Sequence, residues 1–278
     1  MRIDAHQHFW QFDPVRDAWI SEETMATIRL DFLPSDLEPV LSKNNFEGCI
    51  AVQADQSEKE TEFLLKLSKE NDFVRGVVGW VDLKSGNLEE RLEYFSQYAK
   101  LKGFRHILQG EKPEFMLDAA FVKGVKMVGQ KGFTYDILVF PKHLKAVKSF
   151  LRQFDNQPFI IDHIAKPYIK RGLIKQWEKD MKSIARQHQN VYCKISGMVT
   201  EADLTNWKES DFTPYLDVVF DAFGTDRIIY GSDWPVCLVA GSYEQQLALV
   251  ENYVFNHARN DVSKIFGGNA VKFYSVVS

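Results

Sequence analysis

Along the chain, short runs of apolar and β-branched residues alternate with longer stretches whose apolar positions recur every three or four residues. The runs fall at residues 3–8, 49–54, 75–82, 103–107, 133–138, 159–163, 191–196 and 227–233, with starts about 25 to 46 residues apart. That period holds one strand, one helix of about three turns and two loops. Helical stripes are legible in between. Phe63, Leu64 and Leu67 align among Glu and Lys over 58–70, and Leu88, Leu92, Phe95 and Ala99 do the same over 88–100. Turn residues punctuate the units: Lys102-Gly103 before Phe104, Asn156-Gln157-Pro158 before Phe159, and Gly224-Thr225-Asp226 before Arg227.

Strand–helix alternation argues for a parallel sheet. Eight repeats in 278 residues argue that the sheet closes into a (β/α)₈ TIM barrel, one domain over residues 1–278. An open doubly wound sheet would usually carry a Gly-rich phosphate turn after its first strand, and here the chain runs His8-Phe9-Trp10 instead. The first connection, Phe9 to about Glu47, is the longest. It carries Phe9, Trp10, Phe12 and Trp19 before a helix that begins near Ser35, a loop suited to capping the barrel mouth.

The polar residues within this pattern carry the functional information. In such a barrel the carboxyl ends of the strands face the site. Those ends read His6 and His8, Gln53, Trp80 and Asp82, Arg105 and His106, Asp136, His163, Lys194 and Ser196, and Asp233. Burying such groups unpaired costs about 1–3 kcal/mol each, so stability does not account for them. Side chains two apart on a strand share a face, with α-carbons about 6.5–7 Å apart. His6 and His8 can therefore converge on one metal ion. Asp233, in Tyr-Gly-Ser-Asp-Trp-Pro, neighbours the first strand once the barrel closes. It could ligate the ion, orient a water and accept its proton. The plain alternative is an N-cap or turn aspartate. His163 could be a further ligand or could donate to a carbonyl under attack; otherwise it is a core histidine bonded to a backbone carbonyl. Arg105 and His106 could bind substrate hydroxyls or carboxylates, with His106 also placed for a catalytic role, or could form an ion pair at the rim. Lys194 either lines the pocket or pairs with a carboxylate. Gln53 joins the candidates for holding hydroxyls, and Trp10, Trp80 and Trp234 either wall the pocket or belong to the core. His143, His188 and His257 fall in polar stretches and are expected on the solvated surface.

Composition narrows the class of partner. A net charge of −4 with no basic tract argues against nucleic acid. No stretch approaches the roughly 18 apolar residues of a membrane span, and the amino-terminal MRIDAHQHFWQF lacks the apolar core of a signal peptide. The cysteines, Cys49, Cys193 and Cys237, have no metal-type spacing and suit a reducing compartment, the cytoplasm. A small molecule is the expected partner, and homo-oligomerisation stays open.

The segments IDAHQHFW, KGFRHILQ, FTYDILVFPKHL, FIIDHIAKP, CKISGM and IIYGSDWPV, in this order, span nearly the whole chain. In them it resembles the amidohydrolase superfamily, and within that superfamily the aldonolactonase branch, L-fuconolactonase- and L-rhamnonolactonase-like. The resemblance implies His-x-His on the first strand at His6 and His8, a histidine on the sixth at His163 and an aspartate on the eighth at Asp233. The fourth strand ends in Arg105 and His106, where members with two metals carry a bridging lysine. The fifth offers Asp136 and no histidine. One divalent ion, zinc, is therefore expected rather than two, and lactonases of this kind that work without a tightly held metal keep metal-independent catalysis open. The implied reaction is hydrolysis of a sugar lactone such as L-fucono- or L-rhamnono-lactone. Asp233 would act as base and His163 or the ion would stabilise the oxyanion. The competing readings are a non-oxidative decarboxylase or pyrone-dicarboxylate lactonase of the same superfamily and, more distantly, a non-catalytic sugar-binding barrel.

Overall fold

A computed structural model describes residues 1–276. Eight strands, β1 (Ile3–Gln7), β2 (Gly48–Val52), β3 (Val74–Gly79), β4 (Leu101–His106), β5 (Thr134–Ile137), β6 (Phe159–Ile161), β7 (Val191–Ile195) and β8 (Ile228–Tyr230), lie in chain order, each pairing with the next in parallel. The ring is drawn together just beyond β8, where Gln7 and Trp234 form a parallel bridge and the His8 N–H donates to Trp234 O at 2.7 Å. This is the (β/α)₈ barrel that the periodicity predicts. The helices are α1 (Glu22–Met25), α2 (Pro34–Lys43), α3 (Glu58–Glu70), α4 (Leu88–Ser96), α5 (Ala119–Gln130), α6 (Leu144–Leu151), α7 (Lys175–Gln187), α8 (Glu209–Phe223), α9 (Tyr243–His257) and α10 (Asn269–Phe273).

Alternation along the strands builds two apolar layers. Cys49, Ala51, Val77, Tyr135, Ile137, Phe159, Ile161 and Cys193 turn outward into the large core shared with the helices. Ile3, Ala5, Ile50, Val52, Val78, Ile160 and Ile229 turn inward and meet Ala270, Phe273 and Tyr274 from the chain's end, which plugs the bottom of the barrel. The polar site occupies the opposite end.

Two boundaries and the burial of one histidine differ from the sequence reading. Lys102-Gly103 lies inside β4 rather than in a turn before it. A Cβ at Gly103 would come within 2.2 Å of Thr134 Oγ1, so the glycine serves a close approach of β4 and β5. The helix expected over 88–100 stops at Ser96, because the chain must turn into β4 by Leu101. His143, expected in solvent, is fully buried. Its Nε2 lies 3.0 Å from Glu111 O and its Nδ1 3.2 Å from Phe140 N, so backbone partners satisfy both ring nitrogens. His188 is half-buried and His257 exposed. The three cysteines are free and buried. No helix among the described residues is long and apolar enough to cross a membrane.

In the first turn of α3, burial pushes the Glu60 carboxyl up to about 7, against the hydrogen bond it accepts from the Ala54 N–H at 3.1 Å. The folded value exceeds the ordinary glutamate value of about 4.5. The native state therefore loses stability as pH rises between the two and carries the full penalty above about 7. We expect Glu60→Gln, which keeps an acceptor oxygen, to stabilise the protein by about 3 kcal/mol at pH 8 and by under about 0.5 kcal/mol at pH 4.5. Denaturant melts of both proteins at the two pH values check this; equal gains at both would contradict it.

Candidate active site

His6 and His8 reach the same interior space through a fault in β1. Between Asp4 and Gln7, three residues of β1 advance against two of β2, so a bulge re-aims the strand just before the histidines. Asp4 faces the helical layer, accepting from Tyr243 OH at 3.1 Å and Ser232 N at 2.8 Å, and Gln7 donates to Cys49 Sγ at 3.3 Å. The two imidazoles end with centroids 5.0 Å apart.

Asp233 meets them from across the seam. Its N–H donates to His6 O at 2.8 Å, and its φ is +60°. The side chain places Oδ1 3.2 Å from His8 Nε2 and 3.8 Å from both His6 Nε2 and His163 Nε2. His8 Nδ1 lies 2.7 Å from Val52 O, a contact that only an N–H can make favourably, so in the neutral ring Nε2 carries a lone pair. A lone pair and a carboxylate oxygen facing each other at 3.2 Å are reconciled either by a proton on that nitrogen or by a metal cation shared between them. His6, His8 and Asp233 each bring a ligand atom within 4.8 Å of the others. Two imidazoles and one carboxylate fit a divalent metal ion.

His163 arrives by an unusual backbone. β6 ends at Ile161, and His163, Ile164, Ala165 and Lys166 all have φ between +47° and +60°. Strand alternation would turn Asp162 and His163 to opposite faces; the left-handed turn aims both inward. His163 Nδ1 lies 2.9 Å from Ser196 Oγ. Gly197, at φ +57°, presses against the pair, and a Cβ there would lie 2.5 Å from His163 Nδ1 and 2.9 Å from Asp233 Oδ2.

Beneath these groups sits a buried ionic layer. Asp162 Oδ2 accepts from Arg105 at 3.0 Å, and its Oδ1 lies 3.0 Å from Lys194 Nζ and 3.4 Å from His6 Nδ1. Lys194 also pairs with Asp136 Oδ2 at 2.5 Å. His6, Asp162 and His163 form a second potential ligand group. The Asp162 carboxylate is already neutralised by Arg105 and Lys194, which disfavours a second ion there. Burial is the largest influence on the histidines, lowering His163 to about 4 and His6 well below its ordinary value. Burial alone would raise the Asp233 carboxyl, but His163, His8 and His6 outweigh it and hold the group well below the usual carboxylate range.

Above lies a cavity of about 210 Å³. His8, Arg105, Gln109, His163, Lys166 and Asp233 supply its polar wall, and Trp19, Ala54, Ile107, Leu138 and Val236 its apolar one. Sites for drug-sized ligands run to about 300–1,000 Å³, so this one suits a single small ring.

Of the residues singled out from sequence, His6, His8, His163, Asp233 and Arg105 come together here. His106 turns the other way from Arg105, as alternation requires. It packs at 5.1 Å on Phe115, with Trp80 Nε1 3.4 Å from its Nδ1 and Glu111 at its Nε2, 3.3 Å. Gln53 is buried and donates to Arg105 O at 3.0 Å, while Arg105 donates in return to Gln53 O. Lys194 lies wholly beneath the cavity. Trp234 packs on Phe9 and Phe32, and Trp10, bonded to Leu30 O, braces Trp19 at 6.0 Å. Trp19 lines the cavity from the long first loop, where its aromatic cluster suggests a cap over the barrel mouth, whereas Gln109, Lys166 and Asp162 carry no such signal. Gln109 and Lys166 sit on connections without periodicity, and Asp162 is hidden by the alternation rule that its backbone breaks.

The family described as amidohydrolase matches residues 3–276. The chain is 36% identical to the L-fucono-1,5-lactonase of Burkholderia multivorans and 37% identical to that of Burkholderia ambifaria, each alignment covering 99% of this chain and 96% of the relative. A crystal structure of an amidohydrolase from Burkholderia multivorans with bound zinc superposes at TM-score 0.95 with 36% identity, covering 100% of both chains.

Gly197→Ala should displace His163 and Asp233 together. We expect affinity for Zn²⁺ as a probe ion, measured by competition with a chromophoric chelator, to fall about 10- to 100-fold. Unchanged affinity would show that neither side chain matters to the ion.

Proposed function

The chain belongs to the amidohydrolase family, and from that membership we propose that it hydrolyses a sugar lactone, with L-fucono-1,5-lactone the first substrate to test. The observation that carries the chemistry is the convergence of three imidazoles on the Asp233 carboxylate beneath a cavity sized for one ring. The two lactonase relatives support the choice of substrate.

Asp233, ionised at neutral pH, takes a proton from water as the water oxygen attacks the ester carbonyl. The bond to the ring oxygen then breaks, and Asp233 hands the proton to that oxygen as it leaves. The product is the open hydroxy acid, which ionises and acidifies the solution. When Ser196 donates to His163 Nδ1, the proton of the neutral ring sits on Nε2, toward the cavity. His163 is then ready to donate to the developing oxyanion, and Arg105 adds positive charge nearby. His6, His8 and Asp233 would hold a divalent ion, whose chemistry would be Lewis acidity toward carbonyl and water. Two imidazoles with a carboxylate favour zinc among such ions. Gln109 and Lys166 offer polar contacts to ring hydroxyls, and Trp19 with Val236 and Leu138 an apolar face.

A dicarboxylate substrate would need more free cations than this wall has, since Lys166 is already paired with Glu201 at 3.2 Å. That disfavours the pyrone-dicarboxylate reading. The free, buried cysteines support a reducing compartment, the cytoplasm.

Proton release over a panel of aldonolactones, with and without Zn²⁺, tests the reaction, and prompt acid from a six-carbon deoxy-lactone is the expected result. Asp233→Asn should lose at least about 100-fold in kcat with an unchanged circular-dichroism spectrum. Near-wild-type turnover would refute the base assignment.

A further inference from the structure

Both cations that line the cavity stand beside carboxylates. Arg105 Nη1 donates to Asp162 Oδ2 at 3.0 Å within the buried ionic layer. Lys166, the last of the four left-handed residues after β6, holds its ammonium 3.2 Å from Glu201 Oε1 and 5.6 Å from the centre of the Phe140 ring. Glu201 ends the short turn Val199–Glu201 that follows β7. There Thr200 Oγ1 donates to Gly197 O at 2.8 Å and the Glu201 N–H to Met198 O at 3.1 Å. The two side chains are only 16% and 15% exposed, so water screens this pair far less than one on the surface.

A neutral wall needs neither charge, since an uncharged side chain at position 166 would make Glu201 superfluous. What the pair adds is donors. An ammonium has three protons, and Glu201 is its one carboxylate neighbour among the described residues, which leaves protons to meet ring hydroxyls. Alone, the same ammonium would also meet anions. Hydrolysis turns a neutral lactone and water into a hydroxy acid, which loses a proton and leaves a carboxylate in the cavity. An unpaired cation on the wall would hold that product about 10- to 100-fold more tightly. The charges of the pair are felt at the site: burial does most to raise the Glu201 carboxyl, Lys166 opposes it and Asp233 adds to it.

We propose that Glu201 is a specificity-determining residue that sets the charge of the cavity. By neutralising Lys166 it lets the ammonium donate to the hydroxyls of a neutral ring while denying the wall an unpaired cation. The cavity therefore takes the lactone and lets the hydroxy-acid anion go. The inference rests on the function proposed above in taking the substrate as neutral and the product as an anion.

The test is Glu201→Gln, which keeps the size of the side chain and removes its charge, with Glu201→Ser as a second route to the same loss. Binding of L-fuconate, and of acetate as a probe small enough for any ring-sized cavity, is followed by saturation-transfer NMR at matched zinc content. We expect both variants to bind each anion about 10-fold more tightly than the wild type, and KM for neutral L-fucono-1,5-lactone to change by less than about threefold. The gain should vanish in the double variant Lys166→Met/Glu201→Gln. Unchanged anion affinity in the folded single variants, or a gain that survives the loss of Lys166, would overturn the proposal. The acetate titration is independent of turnover. A protein inactive on every lactone sinks the substrate reading, while acetate affinity still decides whether Glu201 sets the charge of the cavity.

Discussion

Two backbone hydrogen bonds across the β8–β1 seam, Asp233 N–H to His6 O and His8 N–H to Trp234 O, govern where the chemistry lies. They join residues more than two hundred positions apart and set the carboxylate level with the imidazoles. Because each bond belongs to the residue that also carries a functional side chain, closing the barrel and assembling the site are one event. The bulge in β1 and the positive φ of Asp233 are local departures from strand geometry on either side of the seam. Each departure turns toward the interior a side chain that regular alternation would send elsewhere.

The site is sustained by the charge arrangement beneath it. Asp162 and Asp136 are buried with Arg105 and Lys194, two carboxylates against two cations, all within the barrel. Such buried charges are tolerated because opposite charges lie beside them, and removing one partner leaves an uncompensated charge. The network also keeps the histidines serviceable. Burial holds His6 and His163 neutral, Val52 O accepts from His8 Nδ1, and Asp162 offers His6 the acceptor that a ligating imidazole needs on its far nitrogen.

Much of this was legible in the order of residues. The eight strand runs, the His-x-His pair, His163 and Asp233 all followed from periodicity and from the rule that a polar residue ending an apolar strand has a task. Features set by the third dimension leave a weaker trace in the sequence. Arg105 and His106 were considered together, although adjacent strand residues face opposite ways, and His106 lies among phenylalanines. Lys194 fits either a pocket wall or a carboxylate pair from sequence, and the structure shows the pair, with Asp136 and Asp162 beneath the cavity. Asp162 escaped notice because four left-handed residues follow β6, and no composition signal announces them. His143 looked solvated because its neighbours are polar, yet backbone groups of two loops enclose it. Trp19, Gln109 and Lys166 line the cavity from loops, where no period indicates facing.

The central claim is that the seam gathers His6, His8 and Asp233 around one point able to hold a divalent cation. Crystals of the protein grown with zinc, with diffraction recorded on both sides of the zinc absorption edge, address it directly. The account predicts a single strong anomalous peak within ligating distance of His6 Nε2, His8 Nε2 and an oxygen of Asp233. A peak held by other residues, or none there with the two imidazoles turned away from the carboxylate, would contradict it.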